Sequence, residues 1–171
     1  MRIRCLFLLI LLVGCAPVRV HFDYDQSAVF GNYGSYNFAA DLNTGLSELD
    51  ENRLLLAVGS VLQGRGIRLS EDPDLVLNIY SHLYEDPRQS TVGIGMGGTG
   101  GNVGGGVSVG LPVNSGQLER EIIFEMRDAR QGRPLWQAVS EDRFSEGASP
   151  EKREARFQAI ATRVFEGFPP K

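Results

Sequence analysis

Cysteine is almost missing from this 171-residue chain: Cys5 and Cys15 are the only two. Both lie near the amino terminus, so no disulfide framework can brace the rest. Histidine is as scarce, with His21 and His82 far apart in the sequence, which leaves a metal centre short of ligands. A basic excess is absent too: 17 Lys and Arg stand against 21 Asp and Glu. A binder of nucleic-acid phosphates is thereby disfavoured. No apolar run approaches the roughly 20 residues that cross a bilayer core. No Gly-x-Ser-x-Gly elbow occurs, so a serine nucleophile of that kind has no setting.

What the chain does have begins at once. Arg2 and Arg4 give a cationic start, Leu6 to Val13 is unbroken apolar sequence, and Gly14 then precedes Cys15. That is the layout of a secretory signal. The ending Leu12-Val13-Gly14-Cys15 resembles the lipobox of bacterial lipoproteins. The resemblance implies a diacylglyceryl group on the Cys15 sulfur, cleavage between Gly14 and Cys15, and acylation of the new amino group, with palmitate-like chains. Several chains anchor stably where one holds only marginally. Ala16 stands where an aspartate commonly retains such proteins at the inner membrane, which favours the outer membrane, periplasmic face. On this reading residues 1–14 are the signal and 15–171 form one periplasmic domain. Its charge is −6, since Arg2 and Arg4 leave with the signal. With Cys5 removed and Cys15 capped by lipid, an oxidising compartment finds no thiol pair to join.

Val18, Val20, Phe22 and Tyr24 alternate with Arg19, His21, Asp23 and Asp25, the pattern of a half-buried strand. Phe30 to Phe38, rich in Gly, Asn, Ser and Tyr, predicts an ordered loop. Leu54, Leu55, Ala57, Val58, Val61 and Leu62 share one side of a helix from about Asp50 to Gln63, interrupted on its polar side by Leu56. Ser47 or Asp50 can cap its start, and Gly64 or Gly66 its end. After the turn Glu71-Asp72-Pro73-Asp74, the alternation of Leu75, Leu77, Ile79 and Leu83 predicts a central strand. A third long strand runs from Gln117, with Leu118, Ile122, Phe124 and Met126 on one face. It turns at Arg130-Gln131-Gly132 into a fourth, Leu135 to Phe144, which carries Trp136. Ser149-Pro150-Glu151 opens a closing helix with the stripe Phe157, Ile160, Ala161, Val164, Phe165 and Phe168.

Residues 85–116 shift sharply to glycine. Val92, Ile94 and Met96, then Val107, Val109 and Leu111, predict a glycine-rich hairpin over 92–113 with one apolar face and one nearly bare face. One reading is a mobile insertion; the other is a surface on which an envelope protein, glycan or lipid can settle closely. Gly93-Ile94-Gly95-Met96-Gly97-Gly98 precedes no amphipathic helix, so a dinucleotide site is not expected. Asp23 with Asp25, and Asp72 with Asp74, are candidate acid, base or Ca²⁺ pairs, though solvation is the ordinary fate of strand-edge and turn aspartates. No catalytic residue and no metal ligand is assigned, and no cofactor is expected beyond the lipid on Cys15.

Five patterns line up in order: Val20-His21-Phe22-Asp23-Tyr24-Asp25; the Phe30, Tyr33, Tyr36, Phe38 group; Asp72-Pro73-Asp74-Leu75-Val76; Arg133-Pro134-Leu135-Trp136; and Phe168-Pro169-Pro170. Together they resemble bacterial lipoproteins of the domain of unknown function family 4136. Phe38 stands where a tryptophan is common and Ala138 where glycine is. The family brings no established activity. The expected fold is α+β: an antiparallel or mixed sheet of about four long strands, two helices on one face, and the glycine-rich hairpin. The expected function is a lipid-anchored, non-enzymatic envelope protein that binds the membrane and a partner. A lipid or lipopolysaccharide carrier is the first alternative, and a hydrolase using Asp23, Asp25 or His82 the second.

Overall fold

The computed structural model describes residues 18–85, 118–143, 145 and 147–170. Gly14, Cys15, Phe144 and the hairpin expected over 92–113 lie outside the described residues.

Six strands and two helices follow in the order β1 Arg19–Tyr24, β2 Ser35–Phe38, α1 Glu48–Gly64, β3 Arg68–Leu69, β4 Leu75–Glu85, β5 Leu118–Asp128, β6 Pro134–Arg143 and α2 Pro150–Val164. They form one mixed sheet ordered β1-β6-β5-β4-β2-β3. The four long strands β1, β6, β5 and β4 run antiparallel to one another. β2 joins β4 in parallel, and β3 joins β2 in parallel. So the sheet has six strands rather than the four long ones expected, and it is mixed. The additions are short: Phe30 to Phe38 is not a loop but a 3₁₀ turn at Phe30–Asn32 followed by β2. Parallel strands need a crossover connection, and α1 is the one between β2 and β3.

Strand alternation sorts the sheet into two faces. Leu75, Leu77 and Ile79 of β4, Ile122, Phe124 and Met126 of β5, and Trp136 and Ala138 of β6 are all buried. Leu54, Ala57, Val58 and Leu62 of α1, with Phe157, Ile160, Ala161 and Val164 of α2, complete the same core. Both helices therefore cover one face. Ser47 caps α1, its hydroxyl accepting from the Asp50 N–H at 3.4 Å. The chain leaves α1 through Gly66 at φ +82°. Gly132, at φ +68°, makes the β5–β6 turn. A side chain at either position would meet the left-handed penalty.

Two apolar residues depart from their patterns. Phe22 is 55% exposed and Leu83 44% exposed. Phe22 sits on the edge strand β1, beside Gly167 of the chain after α2. Leu83 lies beyond the helix layer, in the row where the inward face turns charged.

Asp74 is not the solvated turn residue expected. Its carboxylate accepts from the Gly34 N–H at 3.0 Å, the Ser35 N–H at 3.0 Å and the Ser35 hydroxyl at 2.8 Å, fastening β2 beside β4. The Gly34 N–H and then the Ser35 hydroxyl hold its carboxyl below the usual 3.8. A carboxylate depressed on folding adds stability that is complete above the unfolded pKa and is lost as pH falls through the folded one. Asp74→Ala should cost about 2 kcal/mol at neutral pH. The difference from wild type should shrink as urea denaturation is repeated at pH values below the usual carboxylate range.

Candidate functional site

The inward register of two strands turns from apolar to charged at one end of the sheet. Along β5 the helix-facing positions after Met126 and Phe124 are Ile122 and then Arg120; along β6 they run Trp136, Ala138, Ser140 and Asp142. Arg120 pairs across strands with Asp142 and, on its other side, with Leu83. The first turns of both helices stand over this row. Asp50 comes from α1, and Lys152, Arg153 and Arg156 from α2.

These side chains enclose a cavity of about 220 Å³ whose apolar lining is Ile122, Phe157 and Ile160. Asp50 is 2% exposed and its carboxylate lies between two guanidiniums, Arg53 at 2.8 Å and Arg153 at 2.5 Å. Asp142, also buried, is gripped by Arg156 through both carboxylate oxygens. The fork of a guanidinium suits this bidentate contact. Arg153 also donates to the Ala148 carbonyl at 3.2 Å, which ties the loop before α2 to the network. Burial pushes the Arg120 guanidinium down; Asp50 opposes this, and Arg153 adds to it. Arg143 lines the cavity too, but alternation directs its side chain to the far face, beside Glu119. Among the described residues, Arg120, Lys152, Arg153 and Arg156 thus stand beside Asp50 and Asp142 in the lining.

The candidates named from sequence do not gather. His82 lies on the face without helices, its ring 5.8 Å from that of Tyr80. Cross-strand pairing places it in the row His82, Glu121, Glu141, Arg19. Three strand spacings, roughly 14 Å, separate it from β1 before any offset along the strands. Asp23 bonds the next N–H, from Tyr24, at 2.9 Å. Asp25 accepts from Ser27 N–H and hydroxyl at 2.8 and 2.6 Å and pairs with Arg133 at 2.5 Å. His21 is exposed on the edge strand, opposite Val139, and Asp72 is held by backbone contacts to Ser70. His82 is therefore apart from Asp23 and Asp25. Among the described residues no group of three or more His, Cys, Asp or Glu side chains is placed to hold a metal ion.

The carrier alternative needs an apolar cavity between helices and sheet. Leu54, Leu62, Ile79 and Phe124 fill that layer with no exposure at all. The cavity at the end falls below the about 300–1,000 Å³ of pockets that enclose drug-sized ligands.

Arg120 and its neighbours were passed over in sequence because a charge inside an apolar alternation reads as a break. Its position in the register of Ile122, Phe124 and Met126 was the available signal.

A two-layer α+β domain, with its unusual side chains gathered at one end of the sheet, is the class of protein that this fold defines. The chain belongs to the family described as "Domain of unknown function (DUF4136)", matching it over residues 20–170. No curated protein matches it. Among solved structures it is similar to a DUF4136 family protein from Bacteroides thetaiotaomicron, with TM-score 0.54 and 16% identity over 91% of this chain and 97% of that one. A PDZ domain protein from Parabacteroides distasonis gives TM-score 0.57 and 13% identity, over 91% of this chain; the chain spans only 37% of that protein. The PelC dodecamer from Paraburkholderia phytofirmans gives TM-score 0.51 and 10% identity, over 86% and 94% of the two chains. At these identities the likeness is one of fold.

Proposed function

We propose that this chain is a lipid-anchored protein of the bacterial outer membrane, facing the periplasm, with a binding or structural role and no chemistry of its own. The observation that carries this reading is the position of Leu12-Val13-Gly14-Cys15 behind a cationic, apolar start, with β1 opening at Arg19 only four residues after Cys15. So short a tether keeps the domain against the bilayer. The sheet register supports a particular orientation. The start of β1, the end of β4, the start of β5 and the end of β6 share one end of the sheet. The anchor and the cavity then both belong to the membrane-proximal side. The scatter of Asp23, Asp25 and His82 favours binding over hydrolysis.

Fractionation with Cys15→Ser tests the anchor. Wild type should reach the outer membrane acylated and cut before Cys15. The variant should lack acyl chains, keep residues 1–14 and be absent from the outer membrane. A Cys15→Ser protein that is still acylated and still in that fraction would overturn the proposal.

A further inference from the structure

An edge strand is a ready template for pairing with another chain, and among the described residues β1 pairs with β6 alone. The Asp25 N–H donates to the Leu135 carbonyl, on the β6 side, at 2.9 Å. By strand alternation Arg19, His21 and Asp23 also turn their backbone groups to β6, and Val20 and Phe22 turn theirs outward. Tyr24 belongs to the outward set, and its N–H is taken by the Asp23 carboxylate at 2.9 Å. The side chains divide by the same alternation. Val18, Val20 and Tyr24 pack on the core on the helix side, while Phe22, on that same side, stays 55% exposed. A groove of about 240 Å³, lined by Val20, Phe22, Arg163, Glu166 and Gly167, runs beside the open edge there. Arg19, His21 and Asp23 are exposed on the helix-free side.

We propose that two copies of this chain pair through β1, antiparallel about a two-fold axis at His21, so that their sheets join edge to edge. The sequence around that axis is complementary to itself. Reading outward from His21, Val20 meets Phe22 of the second copy, Arg19 meets Asp23, and Val18 meets Tyr24. Apolar residues face apolar ones on the helix side and a cation faces an anion on the other, and symmetry repeats each contact. Opposite charges directly across a strand pair stabilise it, and like charges there oppose it. Val20 and Phe22 of one copy exchange N–H···O=C bonds with Phe22 and Val20 of the other, which uses the outward backbone groups. Within one copy Arg19 meets Glu141 of β6 at 3.6 Å. Pairing adds Asp23 on its other side, so the guanidinium stands between two carboxylates. Phe22 of each copy is covered beside the groove at Val20 of the other. Neighbouring registers fit worse. An axis at Val20 sets Arg19 against His21, with no anion opposite. An axis at Phe22 sets Arg19 against Asp25, which already holds Arg133, and brings into the ladder the Tyr24 N–H that Asp23 already holds. None of this rests on the lipid anchor.

The test is disulfide trapping with the purified full chain in detergent. His21→Cys puts a thiol on the axis, at a pair that exchanges no backbone bonds, where Cα atoms lie about 4.5 Å apart. A disulfide spans roughly 4.4–6.8 Å between Cα atoms. Mild oxidation should therefore give a reducible dimer well above the level of the unsubstituted chain. Arg19→Cys should stay at that level, since the axis sets its two copies about 13 Å out of register along the strands. Charge then tests the pairing itself. Arg19→Asp and Asp23→Arg, each added to His21→Cys and each carrying its own affinity tag, should join themselves about fivefold less or worse. Mixed together, they should join each other as His21→Cys joins itself, because the mixed pair is complementary at both ends. All these substitutions fall on exposed side chains, so the fold is kept. A His21→Cys chain that stays monomeric gives the edge to some other occupant and overturns the proposal. Equal dimer from Arg19→Cys, or charge variants that join themselves as well as each other, overturns it too.

Discussion

Asp50→Ala is expected to lower stability by about 3–5 kcal/mol, because removing one partner of a buried ion pair strands the other. Asp50 is 2% exposed and stands between Arg53 and Arg153. Its loss takes from both guanidiniums the buried carboxylate that they share. Against a domain total of about 5–15 kcal/mol, that is a large share. Arg53→Ala is milder, about 1 kcal/mol, since Asp50 keeps Arg153. Urea denaturation followed by the fluorescence of Trp136, the only tryptophan, should show an Asp50→Ala midpoint moved far down with the slope unchanged. A shift smaller than that of Arg53→Ala would mean that the carboxylate is not holding the two helices together at this end.

Trp136→Ala is expected to cost about 3–5 kcal/mol at the opposite end of the core. The indole is 2% exposed. It stacks on Phe165 at 5.4 Å and 20°, and meets the edge of Phe168 at 5.1 Å. Phe165 touches Phe124 at 5.9 Å, and Phe168 touches Phe30 at 5.8 Å. One cluster thus joins β5, β6, the chain after α2 and the 3₁₀ turn before β2, and emptying its centre leaves a cavity that four elements must absorb. Trp136→Phe should cost less than about 1.5 kcal/mol. It keeps a ring in the stack, and the indole N–H has no acceptor among the described residues. Thermal unfolding followed by far-UV circular dichroism separates the two variants without relying on the tryptophan itself.

How legible each part of the fold was depends on how long its pattern runs. All six residues of the closing stripe, Phe157 to Phe168, are buried, although α2 carries only the first four; Phe165 opens a 3₁₀ turn and Phe168 follows it in extended backbone, where the stripe continues without the α-helix that was expected. The alternation of β4 and β5 runs through 11 residues each. Tyr36 and Phe38 offer only two apolar steps inside Gly, Asn and Ser, so β2 was read as loop. β3 has two residues and no periodicity to show. Both exist because β4 has an open edge and Asp74 holds Gly34 and Ser35 against it, a contact between segments that local pattern cannot contain.

The cavity was half legible. Arg120, Asp142 and Asp50 each occupy an inward position of their own element, and inward charges could have been flagged one by one. That they meet each other and the first turns of α2 is set by strand order β1-β6-β5-β4, which pattern alone left undetermined. The opposite error befell His82, Asp23 and Asp25. They suit acid–base chemistry by type, and the sheet keeps His82 away from the two aspartates.

The proposed orientation at the membrane would bring the cavity to the side of the anchor, and crosslinking tests it most directly. A photoactivatable side chain is installed at Ser145, at the cavity, or at Gln131, in the β5–β6 turn. Ten residue steps of β5 put these ends about 30 Å or more apart. Illumination of intact envelopes should join lipid to the chain through position 145 and not through position 131. Lipid adducts at 131 alone, or equally at both, would contradict the membrane-proximal placement of the cavity.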